Sequence, residues 1–394
     1  MALSQEVRPP SENYRPRSRW DVIVIGCGIM GAAASYNIAT KGLRVLNIER
    51  FGVNHEHGSS HGRTRIFRTA YYEDPRYVPL LRRALEAWKE VELKSGKTLL
   101  KMTGGLMIGR PDGELVAGTL KAARIHGIPY ELMTASEAEG RFGAFRLEEG
   151  LAAVHEQGAG VLLAEECVRA FVGLGSESGC EYRFSEEVRG WKARTQGVEV
   201  ETQFGTQSAD RLVFCAGAWS GPLLKGVVPL QVERQVPLWF SSGGEEKFTP
   251  QEMPVFVAEE GDGVFYYGIP DLGHGVKVAR HHGGKVGEPD EVTREATEED
   301  IAPVRSFASR RLKGLDGPPI SSTTCLYTNT PDFNFAVGPH PDDHRVSVVS
   351  GGSGHGFKFA SVLGEVVSSL VSGEKLDYDI SFLSPARFGR RGPS

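Results

Sequence analysis

The stretch that decides the fold is "DVIVIGCGIMGAAASYNIATKGLRVLNIER", residues 21–50. Residues 22–25 form a continuous β-branched run, which is typical of a parallel strand buried on both faces. Gly26, Gly28 and Gly31 then make the pattern G-x-G-x-x-G. The first glycine permits a tight turn, the second lets the backbone approach a pyrophosphate, and the third lets the next helix pack closely on the strand. This segment therefore predicts a dinucleotide site.

The residues after the glycines support that prediction. Residues 32–40 are expected to form a helix whose N-terminus faces the phosphates, and residues 43–48 are expected to form a second strand that ends at Glu49. An acidic residue about 20 positions beyond the glycines can accept hydrogen bonds from the ribose hydroxyls. Glu49 argues against a 2'-phosphate, although Arg50 beside it leaves room for one. A glycine-rich turn without a ligand is the alternative, and the motif alone does not distinguish NAD from FAD.

Composition excludes several classes of protein. The 394 residues are 40% hydrophobic and 24% charged, with a net charge of -5 and a pI near 6.2, so neither nucleic acid nor an anionic membrane is expected as a partner. The five cysteines contain no C-x-x-C pair, which argues against a disulfide framework and favours a reducing compartment. We therefore expect a cytoplasmic protein, and we interpret residues 1–20 as a loose arm because they lack a signal-like apolar run.

The rest of the chain predicts a mixed layout. A helix is expected at residues 79–93, and residues 158–174 also show helical periodicity. Stretches such as "VPLWFSS" and "GVKVARHHG" between residues 227 and 320 favour an antiparallel sheet. Residues 345–373 repeat the opening order of strand, glycine-rich turn and helix. The sequence thus predicts an α/β protein in which a nucleotide-binding domain is built from separated segments and a sheet-rich domain is inserted.

Two further patterns are weak as functional signals. Residues 58–62 match G-x-S-x-G, but a nucleophile elbow needs a strand before it and a helix after it, and no strand is predicted there. Four histidines are candidate metal ligands, yet no third or fourth ligand lies at a recognised spacing; these are His55, His57, His281 and His282. We predict neither a serine hydrolase nor a metal site.

Four cations are more informative. Arg65 and Arg68 are three residues apart, which would place them on one face of a helix but on opposite faces of a strand. A guanidinium is well suited to grip a carboxylate. Lys277 and Lys358 lie in apolar or glycine-rich settings, where a buried lysine next to a cofactor would act as a fixed cation.

Together these motifs resemble the monomeric sarcosine oxidase family of FAD-dependent amine oxidases, whose relatives include N-methyltryptophan oxidase, pipecolate oxidase and the fructosyl amino acid oxidases. The resemblance runs from Asp21 to about Leu383. Besides residues 21–50, the motifs that carry it are "GSSHGRTRIFRTAY" (58–71), "GVLLAEECVRA" (160–170), "CAGAW" (215–219), "YGIPDLGHGVKVARHH" (267–282), "CLYTNTPD" (325–332) and "GGSGHGFKFA" (351–360).

The resemblance implies a Rossmann-like FAD-binding domain built from discontinuous segments, with an inserted α+β substrate domain that contains a mostly antiparallel sheet. The expected boundaries place the N-terminal arm at 1–20, the FAD-binding domain at 21–102, 159–224 and 325–394, and the substrate domain at 103–158 and 225–324.

The resemblance also implies roles for individual residues. Cys325 would carry FAD covalently as a thioether, and Lys277 would activate dioxygen. The other implied catalytic residues are Arg65, His281 and Tyr267, and the implied substrate-binding residues are Arg68, Lys358 and Tyr71. The implied cofactor-binding residues are Gly26, Gly28, Gly31, Glu49, Arg50, Ser60, His61, Trp219, Cys325, Gly354, His355, Gly356 and Lys358.

The implied reaction is oxidation of a small secondary amino acid, most simply sarcosine, to an imine that hydrolyses to glycine and formaldehyde, with oxygen reduced to hydrogen peroxide by a monomeric enzyme. The bulky residues 71–75 and the extra charges of Arg63, Arg280 and His274 keep open a more acidic substrate or a larger amine, such as N-methyltryptophan, pipecolate, proline or a fructosyl amino acid. Three further functions stay open: a flavin dehydrogenase that passes electrons to a partner, a flavoprotein without enzymatic activity, and an NAD-dependent dehydrogenase.

Overall fold

The computed structural model describes residues 19–224, 226–261 and 263–389. Most of the N-terminal arm predicted for residues 1–20 therefore lies outside the described residues, and Trp20 already belongs to the first strand. No helix in these three ranges is both long and apolar enough to cross a bilayer. The same ranges contain no cluster of His, Cys, Asp and Glu side chains suited to a metal ion.

The strands, in chain order, are β1 (Trp20–Ile25), β2 (Val45–Ile48), β3 (Thr64–Phe67), β4 (Leu100–Met102), β5 (Gly105–Gly109), β6 (Glu131–Thr134), β7 (Ala152–Glu156), β8 (Gly160–Leu163), β9 (Glu181–Arg183), β10 (Val188–Ala193), β11 (Val198–Thr202), β12 (Gly205–Phe214), β13 (Gln231–Gln235), β14 (Leu238–Phe240), β15 (Val255–Glu259), β16 (Phe265–Ile269), β17 (Val276–His281), β18 (Pro319–Ser322), β19 (Cys325–Asn329), β20 (Ala336–His340) and β21 (Asp343–Ser350). The α-helices are α1 (Ile29–Ala39), α2 (Val78–Ser95), α3 (Glu114–His126), α4 (Ala135–Arg141), α5 (Ala164–Glu177), α6 (Ser220–Leu224), α7 (Glu298–Arg311) and α8 (Ala360–Ser372).

The first large sheet is built around β1, which pairs in parallel with β2 on one side and β12 on the other. Its strand order is β10-β11-β12-β1-β2-β9, and β21 joins it in parallel beside β12. Val22 and Val24 share a core with residues of α1, α5 and α8, whereas Ile23 and Ile25 belong to the core of the opposite face. The β-branched run thus forms a strand that is buried on both faces, as the sequence predicts.

The second large sheet has the order β18-β14-β17-β16-β15-β5-β7-β6 and is antiparallel except where β15 and β5 run parallel. Successive side chains of β17 point to opposite faces of the sheet. Val276 and Val278 enter an apolar core shared with α7, and Lys277 and His281 therefore lie on the opposite face of the sheet. The predicted α/β fold with a largely antiparallel second sheet is confirmed.

Two smaller sheets carry the candidate site residues Arg65 and Cys325. One has the order β3-β8-β4, and the other pairs β13 with β19. The helix predicted across residues 158–174 is wrong in its first part, because Gly160–Leu163 is the middle strand of the first of these sheets and the helix begins at Ala164. A short buried apolar run adjoining an amphipathic helix cannot be assigned from periodicity alone.

Candidate active site

The glycine motif folds as its spacing predicts. Gly26 has a φ of +96°, and a Cβ on it would lie 2.4 Å from the carbonyl oxygen of Cys215. A Cβ on Gly31 would lie 1.9 Å from the carbonyl oxygen of Gly26, so even alanine at position 31 would separate α1 from β1. Gly28 is the N-cap residue of α1, and the Ile29 amide that follows it donates a 3.0 Å hydrogen bond to Ser60 Oγ. The glycine loop between β1 and α1 therefore packs closely against the strand and the start of the helix.

Glu49 stands at the end of β2, where the sequence predicts an acceptor for ribose. Its carboxylate accepts hydrogen bonds from the backbone amides of Cys27 (2.6 Å) and Phe51 (2.9 Å). Burial raises the pKa of Glu49, while these amides oppose that shift. The neighbouring Arg50 instead forms an ion pair with Asp290 at 2.9 Å. Trp219 also donates to Asp290, so the predicted cofactor residues Arg50 and Trp219 lie together at one end of the site.

A cavity of about 490 Å³ connects these residues to Cys325. Its lining includes Gly28, Glu49, Gly354 and Gly356. Gly354 has a φ of +78°, and a Cβ there would lie 2.4 Å from the ring of Tyr327. The glycine loop and the buried carboxylate of Glu49, both in the lining of this cavity, fit a dinucleotide from whose ribose hydroxyls Glu49 would accept hydrogen bonds.

Cys325, the first residue of β19, is buried next to two nitrogen atoms. Its Sγ lies 3.7 Å from Arg65 Nη2 and 3.8 Å from His61 Nε2. Burial alone would raise the pKa of this thiol, but Arg65, His61 and Lys277 outweigh burial and lower the pKa to about 6. By contrast, burial raises the pKa of the Cys215 thiol. Cys325 is therefore the cysteine that is ionised at neutral pH.

Arg65 and Lys277, which we call the thiol pair, are held by backbone carbonyl groups of the loop before β3 and of the first residue of that strand. Lys277 Nζ donates to the carbonyl oxygens of Gly62 (2.8 Å) and Thr64 (3.0 Å). Arg65 donates to the carbonyl oxygens of Thr64 (2.7 Å) and His61 (2.7 Å). Burial and then the charge of Arg65 lower the pKa of Lys277 to about 7. Among the described residues, no carboxylate forms an ion pair with either member.

Arg68 and Lys358, which we call the carboxylate pair, face a built-in counter-ion. Arg68 Nη2 donates to Glu73 Oε1 at 2.5 Å, and the other oxygen of Glu73 is buried with no hydrogen-bond donor among the residues that the structure describes. Lys358 Nζ donates to the carbonyl oxygen of His355 at 2.9 Å. Burial and then the charge of Arg68 lower the pKa of Lys358 to about 7, and Glu73 opposes that shift.

The ring of Tyr71 lies against both cations of the carboxylate pair. Its centroid is 4.4 Å from Arg68 Cζ and 5.2 Å from Lys358 Nζ, which are distances of cation–π contacts. The hydroxyl of Tyr71 is hydrogen-bonded to His355 Nδ1 at 2.5 Å, and His355 Nε2 contacts the carbonyl oxygen of Phe333 at 3.0 Å. Since a carbonyl only accepts, Nε2 carries the proton and Tyr71 donates to Nδ1.

His281, Tyr267 and Tyr327 form an aromatic wall of the same region. His281 Nδ1 lies 3.2 Å from the hydroxyl of Tyr327, and the rings of His281 and Tyr267 meet edge to face. Burial, followed by the charges of nearby residues, lowers the pKa of His281 well below its usual value. The imidazole is therefore neutral at physiological pH and can accept a hydrogen bond.

A second cavity, of about 80 Å³, brings most of these side chains together. Arg68, Lys358, Glu73, Tyr267 and His281 line it. It adjoins the large cavity, because a shared set of residues lines both: Arg65, Cys325, Tyr327, Gly354 and Phe357. The predicted Lys277 and Tyr71 line neither cavity. Tyr71 contacts Arg68 and Lys358, which line the second cavity, whereas Lys277 donates to the carbonyl oxygens of Gly62 and Thr64, beside the lining residue Arg65.

Several features of this site do not follow from the sequence patterns. Arg65 and Arg68 line one cavity and do not face opposite ways, because β3 ends at Phe67 and the alternation of a strand stops before Arg68. Glu73 belongs to a bulky segment in the sequence, and its place five residues after an arginine is the only signal of an ion pair. Tyr327 lies in the motif at 325–332, where nothing distinguishes it from its neighbours.

The comparisons with known proteins agree with this geometry. Residues 21–370 match the family model described as FAD dependent oxidoreductase. The chain belongs to this family of FAD-dependent oxidoreductases, and its resemblance to the sarcosine oxidase type is confirmed. It is 39% identical over 374 residues to monomeric sarcosine oxidase of Streptomyces avermitilis, with 93% of this chain and 97% of the relative covered. It is 34% identical over 371 residues to N-methyl-L-tryptophan oxidase of Yersinia pestis, with 94% and 99% covered.

Among solved structures, the chain is similar to NikD, described as an unusual amino acid oxidase essential for nikkomycin biosynthesis. The TM-score is 0.83 at 24% sequence identity, with 94% of this chain and 98% of that chain covered. At this level of identity the likeness shows the fold alone. The relatives with higher identity make the chain a flavin-dependent amino acid oxidase of the sarcosine oxidase type.

Proposed function

We propose that this protein oxidises a small secondary amino acid, most simply sarcosine, to an imine that hydrolyses to glycine and formaldehyde. The observation that carries the proposal is the small cavity, in which Arg68 and Lys358 lie near His281 and which adjoins the large cavity at Cys325. Bound FAD would supply the redox chemistry, accepting two electrons from the amine and passing them to oxygen to give hydrogen peroxide.

Carboxylate recognition is the task we assign to Arg68 and Lys358. A guanidinium can bind both oxygens of a carboxylate in a fork, and a lysine adds a point charge. Glu73 already contacts Arg68 at 2.5 Å, so a bound substrate carboxylate has to share or displace it. The ring of Tyr71 contacts both cations and helps to hold them in place.

The amine would lie near His281 and Tyr327. A protonated substrate amine has no free lone pair to assist cleavage of the neighbouring C–H bond. The buried cations around the cavity disfavour a further positive charge, which lowers the pKa of a bound amine. The neutral His281 can accept the hydrogen bond of that amine. Hydrolysis of the imine then needs only one water molecule.

We assign oxygen activation to Lys277 in the thiol pair. Reduction of oxygen begins with the formation of negative charge, and a cation already in place stabilises that charge without reorganisation. Lys277 is 1% exposed and held by two carbonyl oxygens, so its charge is fixed near Cys325 and not screened by water.

The size of the small cavity favours a small substrate. About 80 Å³ is far below the roughly 300–1,000 Å³ of pockets for drug-sized ligands. An indole or a sugar would require the segment that carries Tyr72 and Glu73 to move. We therefore favour sarcosine over the bulkier N-methyltryptophan.

The substrate proposal is tested by anaerobic reduction of the purified flavoprotein with sarcosine, L-proline, L-pipecolate and N-methyl-L-tryptophan. We expect sarcosine to give the largest second-order rate of reduction, and hydrogen peroxide to form in a one-to-one ratio when air is admitted. Faster reduction by N-methyl-L-tryptophan would overturn the small-substrate proposal. Normal reduction with slow reoxidation in air would instead indicate a partner protein as electron acceptor.

We also propose that Cys325 holds FAD covalently, because the pKa of its thiol is lowered to about 6 and the residue lines the large cavity. Acid precipitation should leave a yellow pellet from the parent protein. Cys325→Ala should release its flavin into the supernatant, whereas the matched variant Cys180→Ala, at a buried cysteine outside both cavities, should keep it in the pellet. A yellow pellet from Cys325→Ala would contradict the assignment.

We further propose a monomer in the cytoplasm. The relatives named monomeric sarcosine oxidase support the first part, and the electrostatic composition and free cysteines support the second. Sedimentation equilibrium should give a mass near 42.9 kDa, and about twice that mass would contradict the monomer.

A further inference from the structure

Lys277 has an aromatic neighbour with no role in the proposed reaction. Trp239 in β14 is the direct antiparallel partner of Lys277 in β17, so the two side chains lie on the same face of the sheet. The Nζ atom of Lys277 lies 5.1 Å from the ring centroid of Trp239. Trp239 is 4% exposed and Lys277 is 1% exposed, so water screens this contact little.

The packing of β14 suggests that Trp239 serves this contact rather than the apolar core. Leu238 and Phe240, on either side of it, enter the core of the large antiparallel sheet. Trp239 points to the other face, where its ring also lies 5.5 Å from Arg63 Cζ. An indole ring attracts a cation more strongly than a phenyl ring does.

The ammonium group of Lys277 is stabilised by contacts with uncharged groups. Burial lowers its pKa most, and among the charged or titratable groups Arg65 and Arg63 also disfavour the protonated form, while Cys325 and Glu165 favour it. No carboxylate among the described residues is within ion-pair distance of its Nζ. Within the described part of the chain, the ammonium contacts two carbonyl oxygens and the face of the indole ring.

We propose that Trp239 is a positioning residue that keeps Lys277 protonated and in place, and thereby sets the pH range in which oxygen is reduced rapidly. The inference deepens the proposed function and rests on the role given there to Lys277. It assigns a specific task to a tryptophan on the buried face of the second sheet.

The direct test is an NMR titration of the holoprotein with lysine labelled at 13Cε. The signal of Lys277 is identified by its loss in Lys277→Met. Trp239→Phe should lower the titration midpoint by about half a pH unit and Trp239→Leu by about one unit, because loss of a desolvated cation–π contact disfavours the charged form. An unchanged midpoint in Trp239→Leu would overturn the proposal.

Two controls separate this effect from general perturbation. Trp191→Phe changes a buried tryptophan of the other large sheet and should leave the midpoint unchanged. Arg63→Gln should move the midpoint upward, because Arg63 opposes the charge of Lys277. If Trp239→Leu does not fold, Trp239→Phe retains a buried ring and still decides the question by its shift.

Reoxidation of the reduced holoprotein gives the second measurement. Its rate should fall as pH rises through the midpoint of Lys277, and Trp239→Leu should show the same fall at lower pH while matching the parent at acidic pH. Equal slowing at every pH would contradict a role through protonation. If the parent reoxidises slowly at all pH values, the proposed oxidase function fails, while the NMR midpoints still decide the role of Trp239.

Discussion

The thiol pair and the carboxylate pair are built from the same parts and differ in their counter-ions. Each has a buried lysine whose pKa is lowered to about 7 by burial and by the arginine beside it. Lys277 and Arg65 rest on carbonyl oxygens and face Cys325. Arg68 instead has the carboxylate of Glu73 at 2.5 Å.

This difference shows how two similar charge clusters can serve different steps. A pair without a carboxylate is ready to stabilise negative charge that forms during a reaction. In the other pair, a resident carboxylate balances the charge of Arg68 when nothing is bound, and the pair exchanges one anion for another when a ligand arrives. The comparison predicts that equivalent substitutions in the two pairs will affect different half-reactions.

The largest effect is expected from Arg68→Ala. Loss of two charge-assisted hydrogen bonds should weaken the binding of a non-oxidisable carboxylate ligand by about a hundredfold or more. The dissociation constant is measured by titrating the flavin absorbance. The response to a decarboxylated amine should not change, and Arg124→Ala on the exposed surface should bind as the parent does. A similar loss for both ligands would contradict carboxylate recognition by Arg68.

The next prediction compares Lys277→Met with Lys358→Met. Lys277→Met should slow reoxidation by about a hundredfold, as expected for loss of one preorganised electrostatic group, and should change reduction much less. Lys358→Met should instead weaken substrate binding with little effect on reoxidation. Stopped-flow measurements of both half-reactions check this. Equal slowing of both half-reactions in either variant would mean that the two pairs are not specialised.

Glu73→Gln tests the resident counter-ion. Removal of its charge should strengthen carboxylate binding by about tenfold near pH 6, because the substrate no longer competes with an anion for Arg68. Glu73 raises the pKa of Lys358, so in the variant this lysine should lose its proton at lower pH and the gain should shrink as pH rises. Glu177→Gln, at the end of α5, is the matched control. Weaker binding at pH 6 would show that Glu73 assists the ligand.

The smallest expected effect is the pH dependence of carboxylate binding by the unsubstituted protein. The pKa of Lys358 is about 7, and the protonated form binds carboxylate, so the affinity should fall several-fold for each pH unit above 7. Arg68 stays charged throughout and sustains part of the binding. Lys358→Met should flatten this profile between pH 7 and 9, and an unchanged slope would assign the titration to another group.

Local parts of the fold and site were predictable from sequence. The glycine loop and Glu49 follow from contacts within thirty residues, and their spacing alone places them. Helix α2 was expected at residues 79–93 and spans Val78–Ser95, because its apolar spacing is long and regular.

Contacts between distant segments were not predictable in this way. The pairing of Trp239 with Lys277 depends on strand register across two separate segments, and no periodicity in either segment shows it. The ion pair between Arg68 and Glu73 depends on where β3 ends and how the following loop turns. Such features need three-dimensional coordinates because several registers and loop paths satisfy the same pattern of apolar residues.

The ionised thiol of Cys325 also has a consequence for the lifetime of the protein. A thiolate is the form of cysteine that peroxide attacks, and the proposed reaction releases hydrogen peroxide into the cavity that Cys325 lines. A thioether to the cofactor would leave no thiolate to oxidise to sulfenic acid. Chains made without flavin would keep the Cys325 thiolate. Under oxidising conditions they would therefore be inactivated faster than chains that carry flavin.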